Sequence, residues 1–179
     1  MKRLVIALLT LIPFFSIAQP TQNTTGKVLF IRHALAPGTG DPANFRIDNC
    51  ATQRNLDDRG REQARAIGRY LKEEILQFQT PIYSSQWCRC LETAKLMDMG
   101  PVEAFPGLNS FYTLPEFEEE YLRALKRKLA QLPSDGALVI MVTHQVTISA
   151  ITNKYVRSGD GVLYNPKTQI AESFALPSY

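Results

Sequence analysis

The chain is poor in the residues that most directly mark a metalloprotein or a nucleic-acid binder. Among its 179 residues are only two histidines, three cysteines and one tryptophan, and no run of five Lys or Arg occurs anywhere. Cys88-Arg89-Cys90 has one-residue spacing and no second cysteine pair to complete a four-ligand zinc site, so no metal is expected. The formal charge of +3 is modest, and it shrinks further if the first residues are removed. Without Lys2 and Arg3, the 20 basic residues fall to 18 against 17 acidic ones. That balance gives no reason to expect a nucleic-acid partner. No internal repeat and no linker divides the chain, and its length fits one domain.

What is present begins with a leader. Met1-Lys2-Arg3 precedes an apolar run from Leu4 to Ile17, broken only by Thr10, Pro13 and Ser16. Small residues at Ser16 and Ala18 then precede Gln19. A charged start, a short apolar core and a small-residue exit read as a secretory signal peptide over residues 1–18. The run is shorter than the roughly 20 residues that span a bilayer, so no stable membrane insertion is expected after cleavage. A periplasmic or secreted location follows, with a flexible leader over 19–26 and a single domain over 27–179. Export permits disulfides. Three cysteines leave one unpaired, and Cys50 is expected to bridge to Cys88 or to Cys90.

Within the domain, Lys27–Ile31 and Leu138–Val142 are short apolar runs rich in strand formers, bounded by polar residues. Ile82-Tyr83 and Val102–Phe105 are weaker strand candidates. Gly161–Tyr164 and Gln169–Phe174 predict a terminal strand pair. Asp57 predicts a helix cap, and Ala64, Ile67, Leu71 and Ile75 follow at amphipathic spacing. Arg89–Met99 and Glu116–Leu132 predict two further helices, and a fourth begins near Val146. Alternating strands and helices imply a mainly parallel sheet covered on both faces. Between Pro37 and Asn55 no periodicity appears, which marks a long inserted loop of the kind that is usually functional or disordered.

Each histidine follows an apolar strand: His33 after Phe30-Ile31-Arg32, and His144 after Met141-Val142-Thr143. Ligands of open α/β sheets bind beyond the carboxyl ends of the strands, so the two can converge on one pocket. Imidazole can attack phosphorus, while arginine offers a planar fork of donors to phosphoryl oxygens.

Four blocks in order carry a family resemblance. Leu29-Phe30-Ile31-Arg32-His33-Ala34 resembles the opening motif of the histidine phosphatase, or phosphoglycerate-mutase-like, superfamily. Asn55-Leu56-Asp57-Asp58-Arg59-Gly60-Arg61-Glu62-Gln63-Ala64 is similar to the segment that opens its first helix. Ser84 to Ala94, with Arg89 ahead of Glu92-Thr93-Ala94, resembles its Glu-Thr-Ala stretch, and Val142-Thr143-His144 its last histidine segment. The resemblance implies a three-layer α/β/α sandwich with a mostly parallel central sheet, phosphoglycerate-mutase-like. It implies that His33 is a nucleophile forming a phosphohistidine, that Arg32 and Arg89 hold phosphoryl oxygens, and that His144 completes the pocket; on chemical grounds a second histidine can serve the transferring oxygens as a cationic donor. Ser85 is expected either to touch phosphate or to serve the turn. No cofactor is implied.

The chain departs from the family pattern at the general acid. Leu108-Asn109-Ser110-Phe111 stands where one branch carries a glutamate, and Gln145 where the other carries an aspartate. Glu116 and then Asp48 are the first candidates to protonate the leaving group, followed by Glu118 and Asp41. On the inserted loop, Arg46 and Phe45 are expected to read the substrate, Arg46 through a second anionic group. The expected activity is metal-independent phosphomonoester hydrolysis of a phosphorylated small molecule or glycan. A non-catalytic phospholigand-binding domain of the cell envelope is the alternative.

Overall fold

The computed structural model describes residues 23–75 and 77–177. The expected signal peptide, residues 1–18, lies outside them, as do the first residues of the leader. The described part of that leader is pinned: residues 24–27 make a turn, and Gly26 N–H donates to the Gly136 carbonyl at 2.7 Å. Among the described residues no helix is long and apolar enough to cross a membrane.

A six-stranded sheet organises the chain. Its strands are β1 (Val28–Arg32), β2 (Ile82–Ser84), β3 (Val102–Ala104), β4 (Val139–Thr143), β5 (Gly161–Tyr164) and β6 (Ala171–Phe174). Across the sheet they run β3-β2-β4-β1-β5-β6. The first four in that order are parallel, and the terminal pair is antiparallel. The helices are α1 (Asp58–Glu74), α2 (Cys88–Leu96), α3 (Glu118–Gln131) and α4 (Gln145–Thr152).

Strand periodicity sorts the two faces. Leu29 and Ile31 of β1, with Ile140 and Val142 of β4, pack against Ile67 and Leu71 of α1 and Ala94 of α2. Val28 and Phe30, with Val139 and Met141, pack instead against Leu125 and Leu129 of α3 and Ile148 of α4. Both central strands are therefore apolar on both faces, as a sheet covered on two sides requires. Residues 28 to 31 are fully buried, each large side chain contributing about 1.5–3 kcal/mol by its removal from water.

Helix α1 starts where its sequence signal lies. The Asp57 carboxylate accepts the Gly60 amide at 2.7 Å, satisfying a first-turn donor that has no partner within the helix. A Cβ on Gly60 would sit 1.9 Å from the Leu35 carbonyl oxygen, so only glycine lets α1 approach the segment after His33 this closely. Gln63, one turn on, accepts the Leu35 amide at 2.9 Å and donates to the Ser158 carbonyl at 3.0 Å. These contacts give physical reasons for the Gly and Gln of the second sequence block.

Candidate active site

Strand pairing brings the two histidines together. β1 and β4 are parallel neighbours with Arg32 opposite Thr143, so His33 and His144 leave the sheet side by side at its carboxyl edge. The His33 amide donates to the Thr143 carbonyl at 2.9 Å. The rings meet edge to face with centroids 5.5 Å apart, at the floor of a cavity of about 240 Å³ lined also by Arg32, Arg54, Arg89 and Asp41.

His33 is set up as a neutral nucleophile. Its Nδ1 lies 2.8 Å from the Ala34 carbonyl oxygen. A carbonyl only accepts, so Nδ1 carries the proton and Nε2 keeps its lone pair. Burial, reinforced by the charges of Arg89, Arg54 and Arg32, pulls its pKa down to about 3 against the opposing bond to Ala34. The segment after it is fixed by Thr93: the Ala34 amide donates to Thr93 Oγ1 at 3.0 Å, and that hydroxyl donates to the Arg89 carbonyl at 2.6 Å. One threonine thus ties the histidine motif to the arginine helix.

His144 is held from behind. Its Nε2 lies 2.9 Å from Ser85 Oγ, and Ser85 donates to Asn109 Oδ1 at 3.2 Å. The Asn109 amide is oriented by Gln86, whose backbone N–H reaches Oδ1 and whose side chain accepts from Nδ2. Ser85 is therefore a positioning group for His144 and does not line the cavity, contrary to the phosphate-contact reading. Burial, with Arg89 and His33 beside it, holds His144 well below its usual pKa. In the free site it is neutral.

Three guanidiniums surround the histidines. Arg32 donates through Nη1 to the Val156 carbonyl at 2.9 Å. Arg54 donates through Nε to the Gly40 carbonyl at 2.9 Å and through Nη1 to that of Ala36. Arg89, almost wholly buried, grips Asp41 through both outer nitrogens, at 2.8 and 3.2 Å. The Nε atoms of Arg32 and Arg89 are buried and have no partner. Three guanidiniums against the single carboxylate of Asp41 make the cavity electropositive and suited to an anion.

The general-acid candidates fall differently. Glu116 and Glu118 line a separate groove with Arg123 and Lys126, because the turn Pro115–Phe117 leads into α3 away from the sheet edge. Asp48 is exposed and paired with Arg46 at 3.2 Å. Arg46, exposed with it, does not line the cavity. Phe45 stacks on Trp87 at 5.1 Å and does not line the cavity either. Of the four candidate carboxylates only Asp41 reaches the site. Burial favours its protonation, but the hydrogen bonds and charge of Arg89 outweigh this, aided by the Arg54 amide and the Trp87 indole, and hold it below the usual carboxylate range. Asp41 is an anion, not a proton donor. The segment where one family branch carries its glutamate does reach the site, through the amide of Asn109 and the hydroxyl of Ser110.

The inserted loop contributes through its two ends, Gly38 to Asp41 and Arg54. Cys50 pairs with Cys88, while Cys90 is free and buried, its Sγ 3.4 Å from His144 Nε2. Burial pushes the Cys90 thiol up to about 12, so it is unreactive as a nucleophile. Arg54 was missed from sequence, although it directly precedes the Asn55-Leu56 block. Among the described residues no group of three or more His, Cys, Asp or Glu could hold a metal ion.

The profile of the histidine phosphatase superfamily (branch 1) matches residues 28–113, which carry three of the four blocks. That segment, a little under half of the chain, is similar to the histidine phosphatase superfamily. The fold is shared with the protein histidine phosphatase SixA complexed with tungstate, at a TM-score of 0.52 and 15% identity over 85% of this chain and 96% of that one. It is also shared with TTHB049 from Thermus thermophilus, at a TM-score of 0.58 and 18% identity over 84% of this chain and 99% of that one. No curated protein matches the sequence. These structural likenesses establish the three-layer, mostly parallel architecture.

Proposed function

We propose that this chain is a phosphatase that transfers a phosphoryl group to Nε2 of His33 and then to water. The observation that carries the reading is a neutral, buried imidazole with a free Nε2, in a cavity that three guanidiniums against one carboxylate make electropositive. In the first step a bond forms from Nε2 to phosphorus and the bond from phosphorus to the leaving atom breaks. In the second, water attacks phosphorus, the N–P bond breaks and inorganic phosphate departs. Arg32 and Arg89 hold the phosphoryl oxygens, and Arg54 joins them, because fixed donors aimed at developing charge are worth most in a buried site.

The tungstate held by the related SixA is a tetrahedral oxyanion, the shape assigned here to the bound group. Asp41 is anionic, and among the described residues no other carboxylate lines the cavity. Turnover therefore favours leaving groups that depart without a carboxylic acid beside them. The partner is a phosphorylated small molecule or glycan. Export to a periplasmic or extracellular compartment accords with the leading residues and with a Cys50–Cys88 disulfide, which such compartments preserve.

The same lack of a proton donor favours a second reading, a phospholigand-binding domain without turnover. Incubation with an aryl phosphate, wild type against His33→Ala, separates the two. Phosphate release that depends on His33 supports the enzyme; ligand binding without release supports the binding domain.

A further inference from the structure

The floor of the cavity is occupied by the phosphoryl-handling groups, but its rim has a different chemistry. Of five large hydrophobic side chains exposed on the described surface, two, Tyr112 at 62% and Tyr155 at 76%, line this one cavity. Val146 lines it with them. Exposed aromatic faces leave water favourably when a ring or apolar group covers them.

Tyr155 is mounted on a fixed segment. The Gln145 side chain donates to the Lys154 carbonyl at 3.1 Å and accepts the Val156 amide at 2.9 Å, bracketing Tyr155 on both sides. The Val156 carbonyl in turn accepts from Arg32. Gln145, which stands where one family branch has an acid, thus spends its amide on positioning the rim. Tyr112 is held by its own amide donating to Ser110 Oγ at 3.3 Å.

Charge and size narrow the occupant further. The cavity is lined by three guanidiniums against one carboxylate, a net of two positive charges that a single phosphoryl dianion neutralises. The remaining lining groups are uncharged, since both histidines are neutral in the free site. At about 240 Å³ the cavity is smaller than the roughly 300–1,000 Å³ of pockets for drug-sized ligands. Arg59 and Arg157 line a neighbouring groove that shares Arg32, and there Arg157 is paired with Asp160 at 3.2 Å.

We propose that the site selects monophosphoryl compounds whose leaving group is an uncharged planar ring, received by Tyr112 and Tyr155. The proposal rests on the phosphatase reading for the placement of the phosphoryl group, and adds the class of group attached to it. A phenol or an imidazole fits this description, whether free or carried on a protein side chain. Such rings also depart without a carboxylic acid more readily than an alkoxide does, which suits a cavity whose only carboxylate among the described residues is locked on Arg89.

The test is binding to the whole chain, measured by calorimetry with non-hydrolysable phosphonates: methylphosphonate, cyclohexylphosphonate, phenylphosphonate, and a short peptide bearing phosphonomethyl-phenylalanine. Phenylphosphonate is expected to bind about tenfold more tightly than the methyl compound, with the cyclohexyl compound between them. Tyr112→Ala and Tyr155→Ala should each weaken phenylphosphonate about three- to tenfold, the range for one aromatic contact, and leave methylphosphonate unmoved. Tyr→Phe at either position should retain the preference, because the ring and not the hydroxyl makes the contact. Both tyrosines are exposed, so these variants do not threaten the core. Tighter binding of the peptide would identify a protein side chain as the source of the ring; equal or weaker binding would identify a small molecule.

Equal affinity for the methyl and phenyl compounds would overturn the proposal, as would a preference surviving in the double alanine variant. So would stronger binding of a bisphosphonate that is lost with Arg59→Ala and Arg157→Ala. These results are independent of turnover at His33. Failure to bind any phosphonate would sink the phosphatase reading itself, and the proposal with it.

Discussion

The Asp41 carboxylate lies against Arg89 with both oxygens engaged, at 2.8 and 3.2 Å, at the edge of the cavity that holds His33. Both side chains are nearly inaccessible. Removing one partner of such a pair leaves an uncompensated buried charge, at a cost of about 3–5 kcal/mol. Asp41→Asn is therefore expected to lose roughly 3 kcal/mol of stability at neutral pH, measured by chemical denaturation. The folded protein holds the Asp41 pKa below its ordinary value. Its contribution is thus fully present above the unfolded carboxylate pKa, and is lost as pH falls through the folded one. Loss of stability below about pH 4 should be shallower in the asparagine variant than in the wild type. Parallel acid limbs in the two proteins would contradict this assignment.

The two histidines act over a higher pH range. Both have lowered pKa values in the fold, His33 to about 3, whereas an unfolded histidine titrates near 6.5. Between those values the unfolded chain binds more protons than the folded one, so stability rises with pH across that window and is complete above it. The thermal midpoint should fall steadily on acidification from about pH 6.5. Replacing His33 with asparagine should reduce that slope. A neutral His33 at pH 5 also predicts that kcat/KM on an aryl phosphate shows no loss at the ordinary histidine pKa. A kcat/KM profile falling with a pKa near 6.5, traced to His33, would contradict the buried, neutral nucleophile.

The Cys50–Cys88 bridge closes a segment whose ends are 38 residues apart, and Cys88 is next to Arg89. By chain entropy alone, such a cross-link contributes about 3–4 kcal/mol through the unfolded state. Cys50→Ser, or reduction of the wild type, should lower the melting temperature by about 6–16 °C and loosen Asp41 and Arg54 around the cavity. The check is thermal unfolding with and without reductant, paired with phosphate affinity. Unchanged melting on reduction would contradict it.

Glu116 and Asp48 lie outside the cavity, on a separate groove and on an exposed ion pair. Glu116→Gln and Asp48→Asn should each leave aryl phosphate turnover within about twofold of wild type, and stability within about 0.5 kcal/mol, the usual range for surface changes. A tenfold loss of turnover in either variant would show that a carboxylate reaches the site after all.

Much of this architecture was legible in the residues themselves. Val28–Arg32 and Val139–Thr143 carry apolar residues at successive positions because both faces of the sheet are covered, so their strands stand out without tertiary information. Asp57 and the apolar spacing of α1 depend only on local geometry, and both appear where the sequence places them. Arg32, His33 and His144 stand out because they end or follow such strands, whereas Arg89, in the first turn of α2, is singled out by the resemblance. The inserted loop was not. It has no period, and its conformation is set by distant partners: Gln53 Oε1 accepts the Cys88 amide at 2.9 Å, and Asp41 reaches Trp87 and Arg89. Nothing local distinguishes Asp41, which enters the cavity, from Asp48, which faces solvent with Arg46. For the same reason Arg54 was overlooked and Arg46 overvalued. Phe45 is apolar because it packs on Trp87, a contact between residues 42 positions apart.

The most direct test of the account is rapid trapping of the phosphorylated protein without acid, after mixing with an aryl phosphate, in wild type and His33→Ala. A phosphohistidine on His33 is expected to form and decay with phosphate release, with both adduct and release lost in the variant. Phosphate release without any adduct, or an adduct that persists in a folded His33→Ala protein, would contradict it.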